Sequence, residues 1–204
     1  MVALILHSQN RTASGSAAAF GWRSGSPLRY GSEAAEALAA EVRLMAAPHR
    51  GNTGYSTYFI TASTFQKQSL FQTDRMAGLF VEVLLGYRAQ QKYLLHEFVL
   101  MPNHFHLLIT PIVTLERALQ LIKGGFSFRA KREVGFTGEL WEKSFYDRRV
   151  RDREEYCAFQ RYIHSNPVKK GLAAAPEEYP YGSARPGITL NPVPQRLRPS
   201  SLTA

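Results

Sequence analysis

Cysteine is almost absent: the 204-residue chain contains one, Cys157. A single thiol excludes an internal disulfide framework and any cysteine-rich zinc or iron–sulfur site, and it fits a reducing compartment. Long apolar runs are also missing, since no stretch approaches the roughly 20 residues of a membrane helix. The best one, residues 79–87, is interrupted by Glu82, and residues 2–6 are too short for the apolar part of a secretory signal. These absences predict a cytoplasmic protein without a membrane partner.

Acidic residues are in the minority, with 16 Asp and Glu against 25 Lys and Arg, and the formal net charge is +9. The excess is uneven: residues 117–170 hold 13 basic and 7 acidic side chains, whereas residues 51–116 hold 4 of each. A net charge of this sign favours an acidic partner, of which nucleic acid is the commonest. Solvated helix faces account for many such charges individually, and a phosphate-facing surface accounts for their clustering.

Composition divides the chain into three segments. Residues 1–50 contain 12 Ala, 6 Ser and 4 Gly, which predicts a disordered or low-complexity extension. Met45 begins a stretch that looks like a natural start, so residues 1–44 are expected to be an over-extended gene start or a dispensable tail. Residues 51–185 are expected to form the folded domain. Residues 186–204 have four prolines and no periodicity, which predicts a disordered tail.

Periodicity predicts the element order β-α-β-β-α-β-α for the folded domain. Alternating aromatic and β-branched residues indicate strands, and apolar residues three and four positions apart indicate helices. Pro102 and Asn103 mark a hairpin turn, and Pro167 is expected to stop the last helix. The order favours an α+β sandwich, with an antiparallel sheet covered by helices on one face. The expected strands cover residues 55–63, 93–101, 104–110 and 144–150, and the expected helices cover residues 73–91, 115–126 and 152–165.

Two histidines, His104 and His106, lie two positions apart in the segment MPNHFHLLIT. On a strand they point to one face, and Phe105, Leu107 and Ile109 point to the other face and into the core. Two imidazoles at that spacing can share one divalent cation. The alternative is two unrelated polar residues on a solvated sheet face.

The last predicted helix places Tyr162 and Asn166 on one side, because they are four residues apart. A phenol and a carboxamide at that spacing could serve as a nucleophile and a metal ligand. The alternative is a half-buried tyrosine followed by a helix-terminal asparagine before Pro167. Glu155, seven residues before Tyr162, is on the same side and is a weak candidate for the base; an ordinary surface carboxylate is the favoured interpretation.

Taken together, these segments resemble the REP-associated tyrosine transposases, an IS200-like branch of the single-tyrosine HUH transposases. The resemblance spans residues 53–184 and follows the family's order. It implies a ferredoxin-like antiparallel domain of the HUH endonuclease and transposase type, which acts on single-stranded DNA. The segments that carry it are FVLMPNHFHLLITP, IKGGFSFRAKRE, LWEKSFYDRRVRD and YIHSNPVKKGL.

The resemblance also implies the site residues. His104, His106 and Asn166 match the family's metal ligands, and Mg²⁺ or Mn²⁺ is the implied cofactor. Tyr162 falls at the nucleophile position, which implies DNA cleavage and rejoining through a 5′-phosphotyrosine at hairpin-forming repeats. Many other single-tyrosine transposases have Gln where this chain has Asn166, so this residue points to the REP-associated branch.

The implied partner is single-stranded or hairpin DNA, bound by a monomer or a homodimer. Basic residues in the third of the chain that holds the excess charge are expected to contact phosphates, and interleaved aromatic residues such as Phe128 and Tyr146 could stack on unpaired bases. The expected phosphate-contacting residues are Lys123, Arg129, Lys131, Arg132, Arg148, Arg149, Arg151 and Arg153.

Three alternative functions remain open at this stage. A metal-dependent single-strand nuclease that uses water would need the histidine pair but not Tyr162. A catalytically silent hairpin-binding protein would need neither. A ribosomal-type RNA-binding module fits a basic α+β domain, but it gives no reason for the histidine pair together with Tyr162 and Asn166.

Overall fold

The computed structural model describes residues 56–197. The predicted extension over residues 1–50, the possible start at Met45 and residues 198–204 of the predicted tail lie outside the described residues. Within the described range, no helix combines the length and the apolar character needed to cross a membrane.

The described elements follow the predicted order, and capping side chains begin each helix. Thr73, Thr114 and Asp152 each accept a hydrogen bond from a backbone N–H in the first turn that follows, which satisfies a donor that the helix itself cannot. The strands are β1 (Tyr58–Ser63), β2 (Tyr93–Met101), β3 (His104–Pro111) and β4 (Tyr146–Arg149), and the helices are α1 (Asp74–Ala89), α2 (Leu115–Arg129) and α3 (Arg153–Lys169).

The four strands form one antiparallel sheet in the order β2-β3-β1-β4. β2 and β3 make a hairpin with Pro102 and Asn103 at its turn. β1 lies on the other side of β3, so that Ser63 at its end pairs with His104. The prediction of an α+β domain with an antiparallel sheet is therefore confirmed.

One face of the sheet packs against α1 and α2 and is called the α1/α2 face below. Phe105, Leu107 and Ile109 of β3 point to this face and are fully buried. The ring of Phe105 lies 5.0 Å from the ring of Phe80 in α1. Burying one such side chain contributes about 1.5–3 kcal/mol, so this layer supplies much of the domain's stability.

The opposite face is covered by α3 and is called the α3 face below. Phe59 of β1 stacks on Phe159 of α3 with ring centroids 4.2 Å apart, and Leu108 and Ile163 join the same buried cluster. The element order had favoured helices on one face only. The helices are instead divided between the two faces of the sheet. The reason is that β1 and β3 carry large apolar side chains on both sides, and each side needs a cover.

Helix α3 continues through Pro167 and ends at Lys169, beyond the predicted stop. Proline removes one backbone donor from a helix, but the N–H of Lys170 still donates to the Asn166 carbonyl at 3.1 Å. Pro167 and Asn166 are both buried, which favours the continued helix. Asn166 therefore stays in helical register with Tyr162.

Residues 186–197 pack against the domain, and Asn191 lies at the outer edge of β2. The backbone N–H of Asn191 donates to the Leu95 carbonyl at 2.8 Å, and the Asn191 side-chain oxygen accepts from the Leu95 N–H at 3.0 Å. Leu197 is buried. The prediction of a disordered tail is wrong for these residues, because hydrogen bonds to an edge strand leave no apolar periodicity in the sequence.

Candidate active site

The histidine pair lies at the start of β3, on the α3 face. The rings of His104 and His106 are 4.8 Å apart. This face is not solvated as the alternative interpretation required, because His106 is only 3% exposed. Since both imidazoles share one buried side of the sheet, they can act on one ligand.

His106 presents one nitrogen that has no partner. Its Nδ1 lies 2.7 Å from the Thr61 hydroxyl on the neighbouring strand, and its ring stacks on Phe59 at 5.5 Å. Its Nε2 is buried without a hydrogen-bond partner among the described residues. Leaving a buried polar atom unpaired costs about 1–3 kcal/mol of stability. A bound cation would offset that cost, so this nitrogen is suited to act as a ligand atom.

His104 is oriented in the same way. Its Nδ1 lies 2.7 Å from the side-chain oxygen of Asn103. An amide oxygen only accepts, so Nδ1 carries the proton and Nε2 keeps its lone pair. Metal-binding histidines are usually oriented by such a bond at the other ring nitrogen.

Both imidazoles are neutral at physiological pH. Burial, together with the positive charges of Lys67 and Lys170, lowers the pKa of His104 to about 4. Burial lowers the pKa of His106 well below its usual range, with contributions from His104 and Lys67. Neutral rings offer their lone pairs without first losing a proton, as metal binding requires.

Helix α3 brings Tyr162 over His106, and Asn166 lies one helical turn further along. The Tyr162 ring meets the His106 ring edge-on at 5.0 Å and the Phe59 ring at 5.8 Å. Asn166 is 6% exposed and makes a side-chain hydrogen bond with Tyr162. Burial raises the pKa of the Tyr162 phenol above its ordinary value, and the bond from Asn166 acts in the opposite direction.

The donor set of His104, His106 and Asn166 fits a divalent cation. Two imidazole nitrogens and one amide oxygen are suitable ligands for several such ions, and the unpaired Nε2 of His106 supports the assignment. Across residues 56–197, no three His, Cys, Asp or Glu side chains are grouped so that they could hold a metal ion. The candidate ligand set is therefore electrically neutral, without a carboxylate.

The candidate base Glu155 does not lie next to the Tyr162 hydroxyl. Seven helical residues separate the two, a rise of about 10.5 Å. The Glu155 carboxylate instead pairs with Arg148 at 2.5 Å and with Arg151 at 3.4 Å. Its position favours a structural role at the start of α3.

The first four of the predicted DNA-contacting residues divide by environment. Lys123 donates to the Glu142 carbonyl at 2.8 Å and lies over the Trp141 ring. Arg129 forms ion pairs that join α1, α2 and the turn after α2. Lys131 and Arg132 are exposed, and Arg132 lies over Phe128, which is 62% exposed.

Of the second four, Arg148, Arg149 and Arg151 precede α3, and Arg153 is its first residue. Arg148 lies over the Phe159 ring and, like Arg151, pairs with Glu155. Arg149 and Arg153 are exposed. Exposed side chains can meet a phosphate without first breaking an internal contact, so the structure ranks Arg149 and Arg153 above Arg148 as contacts.

Two lysines beside the histidine pair escaped sequence reasoning. Lys67 follows β1 and Lys170 follows α3, and both charges act on His104. Lys170 lies inside the segment YIHSNPVKKGL, where the resemblance offered a signal. Lys67 had no such signal, because only the path of the loop after β1 brings it to the site.

A buried carboxylate holds α3 in place over the sheet. Glu97 of β2 accepts hydrogen bonds from Gln160, from His164 at 2.8 Å and from Ser183 at 2.6 Å. Gln160 and His164 flank Tyr162 along the helix. Their bonds to Glu97 therefore set the position from which Tyr162 faces His106.

Comparison with known proteins places the site residues in a matched region. A family model described as Transposase IS200 like matches residues 54–166, a range that includes both histidines, Tyr162 and Asn166. An uncharacterised protein of Haemophilus influenzae is 30% identical over 95 residues, which cover 35% of this chain and 53% of that protein. A second Haemophilus influenzae protein, provisionally named a REP-associated tyrosine transposase, is 25% identical over 96 residues. The match covers 41% of this chain and 54% of that protein. The chain thus spans about half the length of the curated relatives it matches.

A solved structure supports the fold. The structure of a REP-associated tyrosine transposase bound to a REP hairpin superposes with a TM-score of 0.56 at 20% identity. The superposition covers 68% of this chain and 82% of that one. At this level of identity, the likeness shows that the two chains share a fold.

Proposed function

Since the chain belongs to the family of IS200-like transposases, whose model matches more than half of it, we propose that it cleaves and rejoins single-stranded DNA through a covalent link to Tyr162. The observation that carries the proposal is the contact between Tyr162 and the histidine pair. The phenol ring meets the His106 ring at 5.0 Å, beside an imidazole nitrogen that is buried and has no partner within residues 56–197.

His104, His106 and Asn166 would hold the cation, Mg²⁺ or Mn²⁺. When bound, it supplies positive charge that stabilises the developing charge on the phosphate. The protein's own contribution is orientation: Thr61 and Asn103 bond to the Nδ1 atoms of the two rings, which would leave both Nε2 atoms as ligands.

The Tyr162 oxygen would attack phosphorus and form a new P–O bond, while the bond from phosphorus to the 3′-oxygen breaks. The phenol loses its proton and the departing 3′-oxygen gains one, which leaves a 5′-phosphotyrosine and a 3′-hydroxyl. One phosphodiester replaces another, so a second 3′-hydroxyl can reverse the step and join strands. Burial disfavours the phenolate form of Tyr162, which is the stronger nucleophile, and the hydrogen bond from Asn166 offsets part of that rise in pKa.

Hairpin DNA is the proposed substrate. The structure that shares this fold is that of a protein bound to a REP hairpin, and exposed basic residues lie on either side of α3's start and after α2. His104, His106, Tyr162 and Asn166 all come from one chain, which supports a monomer as the working unit.

The decisive experiment is Tyr162→Phe, with Tyr146→Phe as the matched control. Tyr146 is a second half-buried tyrosine on the α3 face, and its ring lies 6.4 Å from that of Phe59. Each protein is incubated with single-stranded hairpin DNA and Mn²⁺ and analysed for a covalent protein–DNA adduct by denaturing electrophoresis. We expect the adduct with the wild type and with Tyr146→Phe, and none with Tyr162→Phe.

The outcome separates the alternatives. Cleavage that survives in Tyr162→Phe, without an adduct in any variant, would identify a nuclease that uses water. Hairpin binding with no cleavage by the wild type would identify a silent binding protein. An adduct lost only in Tyr146→Phe would move the nucleophile to Tyr146.

A further inference from the structure

The loop after β1 has an unusual backbone beside the histidine pair. Gln66 and Lys67 are consecutive non-glycine residues with positive φ, of 50° and 57°. A non-glycine residue in this left-handed region costs about 1–2 kcal/mol. Such conformations persist where surrounding contacts impose them, and they concentrate at functional sites.

Contacts with the β2–β3 turn impose this conformation. The backbone N–H of Thr64 donates to the Asn103 carbonyl at 3.0 Å, and the Thr64 hydroxyl donates to the Gln68 carbonyl at 2.7 Å. The N–H of Phe71 donates to the Pro102 carbonyl at 3.0 Å. The loop is thereby tied to the turn that directly precedes His104.

The path of the loop gives Lys67 two contacts with the site. Its carbonyl accepts from the Asn103 side chain at 3.4 Å, and the other end of that side chain orients His104. Its ammonium donates to the Ser63 hydroxyl at 2.6 Å, and Ser63 is the cross-strand partner of His104. An ammonium has three donors, so two remain for another acceptor on the α3 face.

Charge indicates what that acceptor is. The candidate ligand set of two imidazoles and an amide carries no negative charge, yet Lys67 and Lys170 both act on His104. A cation held among these groups is repelled by both ammonium groups. A phosphate removes the conflict, because it attracts the metal and the lysines together.

We propose that Lys67 is a phosphate-binding residue of this site, whose ammonium holds an oxygen of the DNA phosphate that Tyr162 attacks. The proposal rests on the proposed function for the identity of that phosphate. It assigns the strained backbone a purpose: Gln66 and Lys67 turn the lysine toward the histidine pair, while the Lys67 carbonyl fixes Asn103 and through it His104.

Binding measurements test this inference without the chemical step. Two proteins that both carry Tyr162→Phe are compared for their affinity for a single-stranded hairpin: one retains Lys67 and the other carries Lys67→Gln. The hairpins carry one neutral methylphosphonate, moved along the strand one phosphate at a time. Lys92→Gln is the control, because it removes the same charge beyond the far end of β3, roughly 25 Å from His104.

We expect Lys67→Gln to weaken binding of the unmodified hairpin about tenfold, and Lys67→Arg to recover most of that loss. With the methylphosphonate at the phosphate to which the wild type becomes linked, Lys67 and Lys67→Gln should bind equally. Lys92→Gln should show the same difference in affinity as the wild type between the unmodified hairpin and the hairpin with this methylphosphonate. Thermal unfolding of each variant shows whether the loop substitution has altered the fold.

The proposal is overturned if the Lys67→Gln penalty persists at every methylphosphonate position, or if it disappears at a different phosphate. It is equally overturned if Lys67→Gln binds as tightly as the wild type. Failure of the proposed function looks different, because it is a missing adduct with the wild type. If the wild type forms the adduct but the effect of Lys67→Gln does not depend on the linked phosphate, the proposed function stands and the role of Lys67 is rejected.

Discussion

The two faces of the sheet differ in polarity although one strand serves both. β3 sends Phe105, Leu107 and Ile109 to the α1/α2 face, where the core is continuous and apolar. Its alternate residues, including His104 and His106, go to the α3 face. Beside the apolar cluster on that face lie a buried imidazole nitrogen, which no described residue partners, and the buried carboxamide of Asn166.

This difference separates stability from chemistry. On the α1/α2 face, removing a side chain leaves a cavity in a close-packed layer and destabilises the fold. On the α3 face, polar groups are buried at some cost to stability, which is expected where a site must be pre-organised. Substitutions of neighbouring residues on β3 should therefore have different kinds of effect.

The largest expected effect is the loss of cleavage in His106→Ala. Removing the imidazole removes the buried ligand atom, and we expect adduct formation to fall roughly a thousandfold or more. Stability should fall by no more than about 2 kcal/mol. Adduct assays with Mn²⁺ and urea unfolding measure the two quantities. Near-normal adduct formation would remove His106 from the site.

The neighbouring substitution Phe105→Ala should show the opposite pattern. Phe105 is fully buried against Phe80 and Trp141, so we expect a loss of about 3–5 kcal/mol in the free energy of unfolding. Per folded molecule, cleavage should change much less than in His106→Ala. A stability loss that matched that of His106→Ala would contradict the distinction between the two faces.

How far the sequence predicts this site depends on the distance over which each contact is made. The strand period places His104 and His106 on one face, and the helical period places Tyr162 beside Asn166. Neither period identifies Thr61, which reaches His106 from another strand. Contacts of this kind depend on the register between strands, which local periodicity does not contain.

The same limit explains the two regions that the sequence did not predict. The continued helix at Pro167 depends on burial against the sheet, and residues 186–197 depend on hydrogen bonds to the edge of β2. Pro167 predicts the end of the helix, and the prolines after residue 185 predict disorder. Tertiary contacts outweigh that local preference in both.

A smaller effect is expected from Glu97→Gln, which tests how α3 is held. Burial alone raises the pKa of Glu97, but hydrogen bonds from His164, Ser183 and Gln160 outweigh it and lower the pKa below 4.5. A depressed folded-state pKa stabilises the fold above the unfolded pKa, and this stabilisation is lost as pH falls through the folded value. Glu97→Gln should cost about 1–3 kcal/mol at pH 7.

Urea unfolding between pH 3 and 7 checks this prediction. The cost of Glu97→Gln should shrink as the solution is acidified below about pH 4.5. Glu82→Gln is the control, since Glu82 is exposed and pairs only at the surface with Arg129. A cost that is constant with pH would show that Glu97 does not act as a charged anchor.

The smallest expected effects compare two basic residues on the two sides of the sheet. Arg153 is exposed at the start of α3, whereas Lys123 of α2 is bonded to the Glu142 carbonyl. Arg153→Gln should weaken hairpin binding a few-fold and reduce the slope of log affinity against log salt by about 0.7, the value for one phosphate contact on a single strand. Lys123→Gln should leave that slope unchanged and lower stability by about 0.5–1.5 kcal/mol through the lost hydrogen bond. Titrations at several salt concentrations measure both slopes. If Lys123→Gln reduced the slope as much as Arg153→Gln, Lys123 would contact DNA despite its internal hydrogen bond, and exposure would not identify the residues that contact phosphates.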